Sequence, residues 1–569
     1  MLSPDLLTAN ITALTQAQGK CPTLGPLPPN MRVVPAGKTV QVELRTATGG
    51  WQPVDFPSRV RAGTEWLRGG SSPDARQIVL VGPGLGRALA ALESTPISRV
   101  IAIEPHAGLA TLLLSAWDWC PWFASGRLRL LTGPDFTGAA DIARVLDGLT
   151  DISIVVHPMR ARIEPEAMAQ ASSVAARVAQ NARANGHARR KFAAPYLLQT
   201  LTNLPAIARE ADLAALDGAC AGMPAVVVGA GPSLDANGPV LATLQDRAVI
   251  VSADTALGPL LAHGVRPHIA VGVDSSALNA RHLTTPAATE DVALAAEGSL
   301  HASALARFRG RTFGFRIAAH EPWPWLREGG IERAELKTWG SVLTSAFNLA
   351  RRMGADPIVF VGADLAFTGM RPYCRGTIYD AMWQEWIDKG CTWEALMEEY
   401  FSRQPEMWRR DVHGRETRTA PHLVSFRDWI ADQTASATSG TFINATADGI
   451  LHGGRIVQAP LESVLSGWPR VTGVRDTIRA CHADAVARRD DVRLAEWLAA
   501  NASGEALPIA RWIAFAASTI AREEIVAAIA DAAAVVASQG RSMASANGTD
   551  GAMGRAAAAV AGEAAARSV

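Results

Sequence analysis

Charge of a dominant sign is the first thing this chain lacks. Its 569 residues carry 54 Lys and Arg against 54 Asp and Glu. Balanced charge gives no global field to draw in nucleic acid or an anionic membrane, so neither is expected as a partner. Any anionic ligand must be held by local geometry. Cysteine is scarce too: six residues, scattered, with no C-x-x-C pair. That argues against a zinc site or a disulfide framework and fits a reducing compartment. No stretch approaches the roughly 20 uninterrupted apolar residues of a membrane span. The opening MLSPDLLTANITALTQAQGK has no basic region leading into an apolar core, so no secretory signal is expected. The expectation is a soluble, cytoplasmic protein.

What is present is globular: 48% hydrophobic residues with 19% charged, on a length that suits roughly three or four domains. Residues 1–75, with VVPAGKTVQVELRTATGGWQPVDF, show short alternating runs and turn residues, which predicts a small β-rich segment. At Gln77 the pattern changes. QIVLVGPGLGRALAALE reads as strand, glycine turn and helix, RVIAIEP adds a strand ending in Glu104, and RLRLLTG and DISIVVHP add two more. Residues 76–160 are therefore expected to form a Rossmann-like domain, and 161–217 a helical linker. GPGLG with Glu104 has the layout of a nucleotide or S-adenosylmethionine site; tight strand–helix packing alone also accounts for it.

A second alternation follows: AVVVGAG, RAVIVSAD, HIAVGVD, DVALAAEG, RTFGFRI and DPIVFVGAD. These predict a second parallel sheet within an α/β domain over 218–467, interrupted by a tryptophan-rich helical insertion at about 379–408. Past 468 the strands vanish, and apolar residues recur at three- and four-residue intervals, which is helical spacing. The alanine-rich close GRAAAAVAGEAAARSV is low in complexity and is given no role.

The turn GAGPSLD carries the sharper signal. Gly229 and Gly231 remove side chains at the crest of the sheet, Pro232 sets φ for the start of the helix, and Ser233 suits a cap or a phosphate donor. Free N–H groups at a helix start favour an anion, and a capped helix with an empty turn is the plainer alternative. Four acids trail apolar runs: Asp254, Asp274, Glu297 and Asp364. In an open parallel sheet those ends share the edge where ligands bind. Carboxylates there either accept hydroxyls from ribose, base or sugar, or hold a Mg²⁺ that bridges to phosphate.

These residues resemble a known family. GAGPSLD, SADTALGPLLAHGVRPHIAVGVDSS and GSVLTSAFNLARRMGADPIVFVGADLAFTG, continued by TSGTFINATADGILHGG, are similar to the motility accessory factor proteins, bacterial flagellin glycosyltransferases. Their central domain is related to an archaeal hydroxymethylpterin diphosphokinase. The resemblance implies two Rossmann-like parallel-sheet domains, the central one similar to bacterial sialyltransferases, and then a C-terminal helical region. It implies transfer of a nonulosonic acid, pseudaminic or legionaminic in type, from a CMP-activated donor to Ser or Thr of flagellin. Under it Gly229, Gly231, Pro232 and Ser233 meet the donor phosphate. Asp254 and Asp274 orient ribose or sugar, Asn348 reaches towards the base, and Asn444 and Thr446 close the site from a loop. Asp364, or His413 in DVHGRET, serves as base. The chain departs from the family pattern at Pro267-His268, where Pro-Asp is usual, and at Tyr373-Cys374, where a histidine is usual. The rival expectations are pyrophosphoryl transfer to a hydroxymethylpterin and a non-enzymatic flagellin scaffold.

Overall fold

The computed structural model describes residues 2–547 except 19–22, 37–38, 47, 56–66, 68–75, 94, 96, 134–151, 318–320, 404, 489–490, 502–506 and 517–519. The alanine-rich terminus lies outside the described residues. The chain divides into two compact units, Met1–Lys191 and Phe192–Val569. The helix Pro165–Thr202 carries the chain from one to the other, and the division falls within the stretch expected as a linker.

The first unit opens on a helix, Pro4–Gln18, before the expected β-rich piece. Leu7, Ile11 and Leu14 recur along one face and pack into the core beside Leu80 and Val100. Strands β1 (Met31–Ala36), β2 (Thr39–Arg45) and β3 (Trp51–Pro53) form an antiparallel meander. Strands β4 (Gln77–Val81), β5 (Arg99–Glu104), β6 (Leu128–Thr132) and β7 (Ile152–Val156) form a parallel sheet in the order β6-β5-β4-β7. All five residues of β4 are buried, as a parallel strand covered on both faces requires.

The second unit is built on nine parallel strands. They are β8 (Ala211–Asp212), β9 (Ala225–Val228), β10 (Val249–Ala253), β11 (Ile269–Gly272), β12 (Ala293–Glu297), β13 (Thr312–Phe315), β14 (Ile358–Val361), and, after an antiparallel hairpin, β17 (Phe442–Asn444) and β18 (Ile456–Gln458). The hairpin pairs β15 (Met407–Arg410) with β16 (Glu416–Thr419). The sheet order is β18-β17-β14-β9-β10-β11-β12-β13-β8, so the six expected runs form its centre. From β9 the chain steps outward to β13, then returns to lay β14 against the other side of β9. Strand order therefore reverses between β9 and β14, and such a switch point opens a crevice at the carboxyl tips.

The insertion consists of the helices Ile378–Asp388 and Trp393–Ser402, followed by the β15–β16 hairpin, which sequence pattern did not suggest. Its core gathers Phe367, Met397, Phe401 and Ala420, with Trp383, Trp393 and Tyr400 partly buried against them. Beyond β18 the described chain is helical. Those helices pack Leu498, Trp512, Ile525 and Ile529 onto Trp323, Trp325 and the end of the Pro165–Thr202 helix. Trp325 lies 4.2 Å from Trp497 and 5.2 Å from Trp512, centroid to centroid. The tryptophans of EPWPWLRE are thus core, and the C-terminal helices act as a buttress. Burying each such aromatic side chain contributes roughly 1.5–3 kcal/mol.

Candidate functional site

Glycine at the tips of β9 and β14 lets two turns approach backbone to backbone. Gly229 N–H donates to Val361 O at 2.9 Å, and Gly231 N–H to Gly362 O at 2.8 Å. A Cβ on Gly229 would sit 2.6 Å from Gly362 O, and one on Gly231 would collide with the Asp364 carboxylate. The glycines are therefore required by the chain itself.

So is the anion. Ser233 donates its hydroxyl to Asp364 Oδ2 at 2.6 Å and its N–H to Asp364 Oδ1 at 3.2 Å. The carboxylate meeting the start of the helix Leu234–Leu244 is internal, and Ser233 makes no side-chain cap to its own helix. Asp364 is fully buried. Burial pushes its pKa up to about 6, against hydrogen bonds that favour the ionised form. The phosphate expected on this turn would have to displace a carboxylate, so Gly229, Gly231, Pro232 and Ser233 shape the crest rather than offer it free donors.

The loop after β17 locks the same corner. Thr446 Oγ1 accepts Ala363 N–H at 3.1 Å, and Ile450 N–H donates to Asp364 O at 2.7 Å. Asn444 spends its amide on Leu451 O and on the Gln458 side chain, and its oxygen on Thr446 N–H. Asn348 Oδ1 accepts Lys337 N–H at 2.9 Å, fixing a loop. His413 is exposed on the hairpin turn with its ring nitrogen 2.7 Å from Ala447 O, and no contact joins it to the carboxylates of the edge.

Asp254 and Asp274 stand apart from this scaffold, at the tips of the neighbouring strands β10 and β11. Asp254 opens the helix Asp254–Ala262, whose N-cap is Ala253. Its Oδ1 accepts Thr255 N–H at 2.7 Å and Thr255 Oγ1 at 3.1 Å. Its Oδ2 has no hydrogen-bond partner among the described residues. Burial and the nearby Asp274 charge push its pKa up to about 7, where a group exchanges protons at neutral pH. Half-buried Asp274 accepts Ser276 N–H at 2.7 Å and Asn279 Nδ2 at 2.5 Å. Glu297 is taken by Ser299, through N–H at 2.6 Å and the hydroxyl at 2.5 Å.

Two tyrosines complete the edge: Tyr379 from the insertion, which sequence reasoning missed, and Tyr373 just before it, which the sequence showed only as a departure from the family pattern. Tyr379 OH donates to Asn279 Oδ1 at 2.8 Å, so a chain of hydrogen bonds runs from the insertion to Asp274. Tyr373 stacks on Tyr379 at 4.9 Å and 17°. Both phenol pKa values are raised by burial and by the Asp254 charge, that of Tyr379 to about 12. Tyr196 is raised by burial and by Glu297 and Asp274, and the fourth tyrosine, Tyr400, adds its charge to Tyr373 and Tyr379. Of the chain's four tyrosines, Tyr373 and Tyr379 stack at this edge, while Tyr400 packs in the core of the insertion. Tyr373 thus occupies the site where a histidine was expected. His268 does not: it sits at the amino end of β11 and accepts Ile250 N–H at 3.0 Å, with burial pushing its pKa down to about 3.

A metal bridge is less well provided for. Among the described residues no group of three or more His, Cys, Asp and Glu is placed to hold an ion.

In the first unit the glycine turn is filled by protein. Glu104 Oε2 accepts Gly84 N–H at 3.2 Å, and Arg160 grips both Glu104 oxygens at 3.1 and 3.2 Å. Both side chains are fully buried. A Cβ on Gly86 would lie 2.8 Å from Trp119, and one on Gly82 3.0 Å from Met168. The acid that would accept ribose hydroxyls is committed to an arginine, which leaves tight packing as the reason for these glycines.

Three comparisons bear on this arrangement. Residues 198–370 match a family model described as 6-hydroxymethylpterin diphosphokinase MptE-like. The solved structure of the MAf glycosyltransferase from Magnetospirillum magneticum AMB-1 is similar over 94% of this chain and 92% of its own, with a TM-score of 0.50 and 16% identity. That likeness speaks to the fold, and it meets the two-sheet architecture and the family resemblance read from the sequence. An uncharacterized protein of Treponema pallidum (strain Nichols) is 49% identical over 45 residues, 8% of this chain and 12% of its own length. No helix among the described residues is long and apolar enough to cross a membrane.

Proposed function

We propose that this chain is a glycosyltransferase. In this reading it binds a CMP-activated nonulosonic acid, pseudaminic or legionaminic in type, at the carboxyl edge of the second sheet. It transfers the sugar to Ser or Thr hydroxyls of flagellin in the cytoplasm. The observation that carries the reading is the pairing of Asp254 and Asp274 on adjacent strand tips, beside the β9/β14 reversal and under the Tyr373–Tyr379 pair. The likeness in fold to a MAf glycosyltransferase supports it.

The chemistry follows from those residues. The acceptor oxygen attacks the anomeric carbon, the bond from that carbon to the phosphate oxygen breaks, and its electron pair leaves with CMP. The acceptor proton passes to Asp254, whose pKa near neutrality suits a general base. Asp274, oriented by Asn279 and Tyr379, accepts hydroxyls of the sugar or ribose. Asp364 and His413, expected as bases, take other roles: Asp364 positions the crest, and His413 holds the Ala447 loop. Trp386 and Trp408, exposed on the insertion, supply an apolar surface for a protein acceptor.

Incubating purified protein with a CMP-nonulosonate and unmodified flagellin tests this. The expected result is a gain of one or more sugar masses, lost in Asp254→Asn. No gain with either sugar type would sink the reading.

Pyrophosphoryl transfer to a hydroxymethylpterin is favoured by the family model over 198–370. It requires free phosphate donors and metal-bridged ATP. The Ser233 donors are committed to Asp364, so the transferase reading fits the geometry better. Formation of AMP from ATP and the pterin would reverse that order.

A further inference from the structure

A cavity of about 600 Å³ lies between the helices Asp254–Ala262 and Ala277–Thr284 and the start of the insertion at Gly376–Ile378. Asp254, Asp274 and Tyr379 do not line it, so it is a separate space on the flank of the candidate site. Its polar lining is one-sided: Arg266, Arg281, His282, Thr255, Thr285 and Thr377, with no acid.

His282 is the informative residue. It is 3% exposed, and its Nε2 is buried with no hydrogen-bond partner. Buried polar atoms in folded proteins are nearly always paired, so an orphan on a ring that lines a cavity marks a place where a partner belongs. Burial, with the Arg281 charge, pushes its pKa down to about 4. The ring is therefore neutral at neutral pH, with one nitrogen donating and the other accepting.

Arg281 stands at the same cavity, exposed, with no acid partner among the described residues. Arg266 reaches Asp291 only at 3.6 Å. Thr285 is exposed. The helix Ile378–Asp388 also begins here, capped by Thr377, but Asp380 in its first turn accepts Gly376 N–H at 3.1 Å, so a carboxylate already meets that end and the guanidinium charge stands by itself. A cationic rim over a neutral donor–acceptor ring matches one ligand chemistry: an oxyanion with a hydroxyl beside it.

We propose that this cavity is a second ligand site, taking a small hydroxylated oxyanion, with Arg281 meeting the charge and His282 exchanging a hydrogen bond with the neighbouring hydroxyl. Phosphate esters and sugar acids share that chemistry. The proposal does not rest on the transferase reading, although the two spaces share a wall: His282 packs edge-on against Tyr379 at 5.2 Å between centroids, and Thr255 hydrogen-bonds Asp254.

Calorimetric titration of the full chain with glycerol 2-phosphate and, separately, with gluconate tests the proposal. Binding of the first alone identifies a phosphate ester, and binding of the second alone identifies a sugar acid; either supports the site. Arg281→Ala, a change at an exposed position, is expected to weaken binding at least about tenfold through loss of a charge-assisted hydrogen bond. His282→Gln keeps a donor and an acceptor and is expected to retain part of the affinity. Asp254→Asn should bind as the parent does, even if it transfers no sugar. The proposal is overturned if neither compound binds, if Arg281→Ala binds unchanged, or if Asp254→Asn loses binding while Arg281→Ala keeps it.

Discussion

Ser233 donates a hydroxyl hydrogen bond to Asp364 Oδ2 at 2.6 Å, joining the turn after β9 to the turn after β14. That bond crosses the point where strand order reverses, and it places the chain's own carboxylate where a phosphate would ordinarily be met. Ser233→Ala should leave the buried carboxylate short of a donor, at a cost of about 1–3 kcal/mol. Urea unfolding midpoints would measure it. Gly231→Ala should cost at least as much, because its methyl group would fall on the Asp364 carboxylate.

Asp254 carries a pH signature. Its folded pKa, about 7, lies above the ordinary carboxylate value of 3.8. Between those values the unfolded chain is ionised while the folded chain holds the proton. Stability from this group is therefore full below about pH 4 and lost as pH rises through 7. Asp254→Asn removes the titration. Its stability relative to the parent should climb between about pH 4 and 7 and level off above 8. His268 and His282 titrate in the opposite sense below their ordinary value of 6.5, but they are common to both proteins and cancel in the difference. Thermal unfolding of the pair across pH 4–9 is the measurement, and a flat difference would contradict the assignment.

The first unit should bind no nucleotide cofactor. Calorimetry with S-adenosylmethionine and with NAD is expected to show no heat, because Arg160 fills the place of a ribose at Glu104. Arg160→Ala should destabilise by about 3–5 kcal/mol, since it strands a buried carboxylate. Arg160→Met combined with Glu104→Gln should recover most of that loss.

How much of this could be read from the chain depended on length and locality. Strands β9 to β14 were legible because each is a short apolar run, closed in every case but β13 by glycine or an acid. Strands β8, β17 and β18 span two or three residues, too few for any period to show. After Met407 and Trp408 the β15–β16 hairpin is written in Arg, Glu and Thr, and apolar pattern does not register it. The Pro4–Gln18 helix was not read, because the polar residues between Leu7, Ile11 and Leu14 obscure their spacing. Within the site, Asp254 and Asp274 were visible because each trails its own strand. Asn279 and Tyr379 were not, and Tyr373 showed only as a departure from the family pattern, since only the fold joins the helix Ala277–Thr284 to the insertion.

The insertion yields a prediction that separates docking from chemistry. Trp386→Ala with Trp408→Ala should reduce transfer to flagellin while leaving hydrolysis of the sugar donor unchanged, because both rings are exposed and neither touches the carboxylates. Tyr379→Phe keeps the stack on Tyr373 and removes only the bond to Asn279. Freed of that restraint, Asp274 should be less well held, raising KM for the donor with little change in unfolding temperature. Assays with flagellin present and absent distinguish the two effects.

The most direct test is calorimetric binding of a CMP-activated nonulosonic acid to the parent protein and to Asp274→Ala. The parent is expected to bind, and the variant, folded and equally stable, to bind at least about tenfold more weakly for want of a charged acceptor at the edge. Equal affinity in both, or no binding by the parent, would place the donor elsewhere and contradict the account.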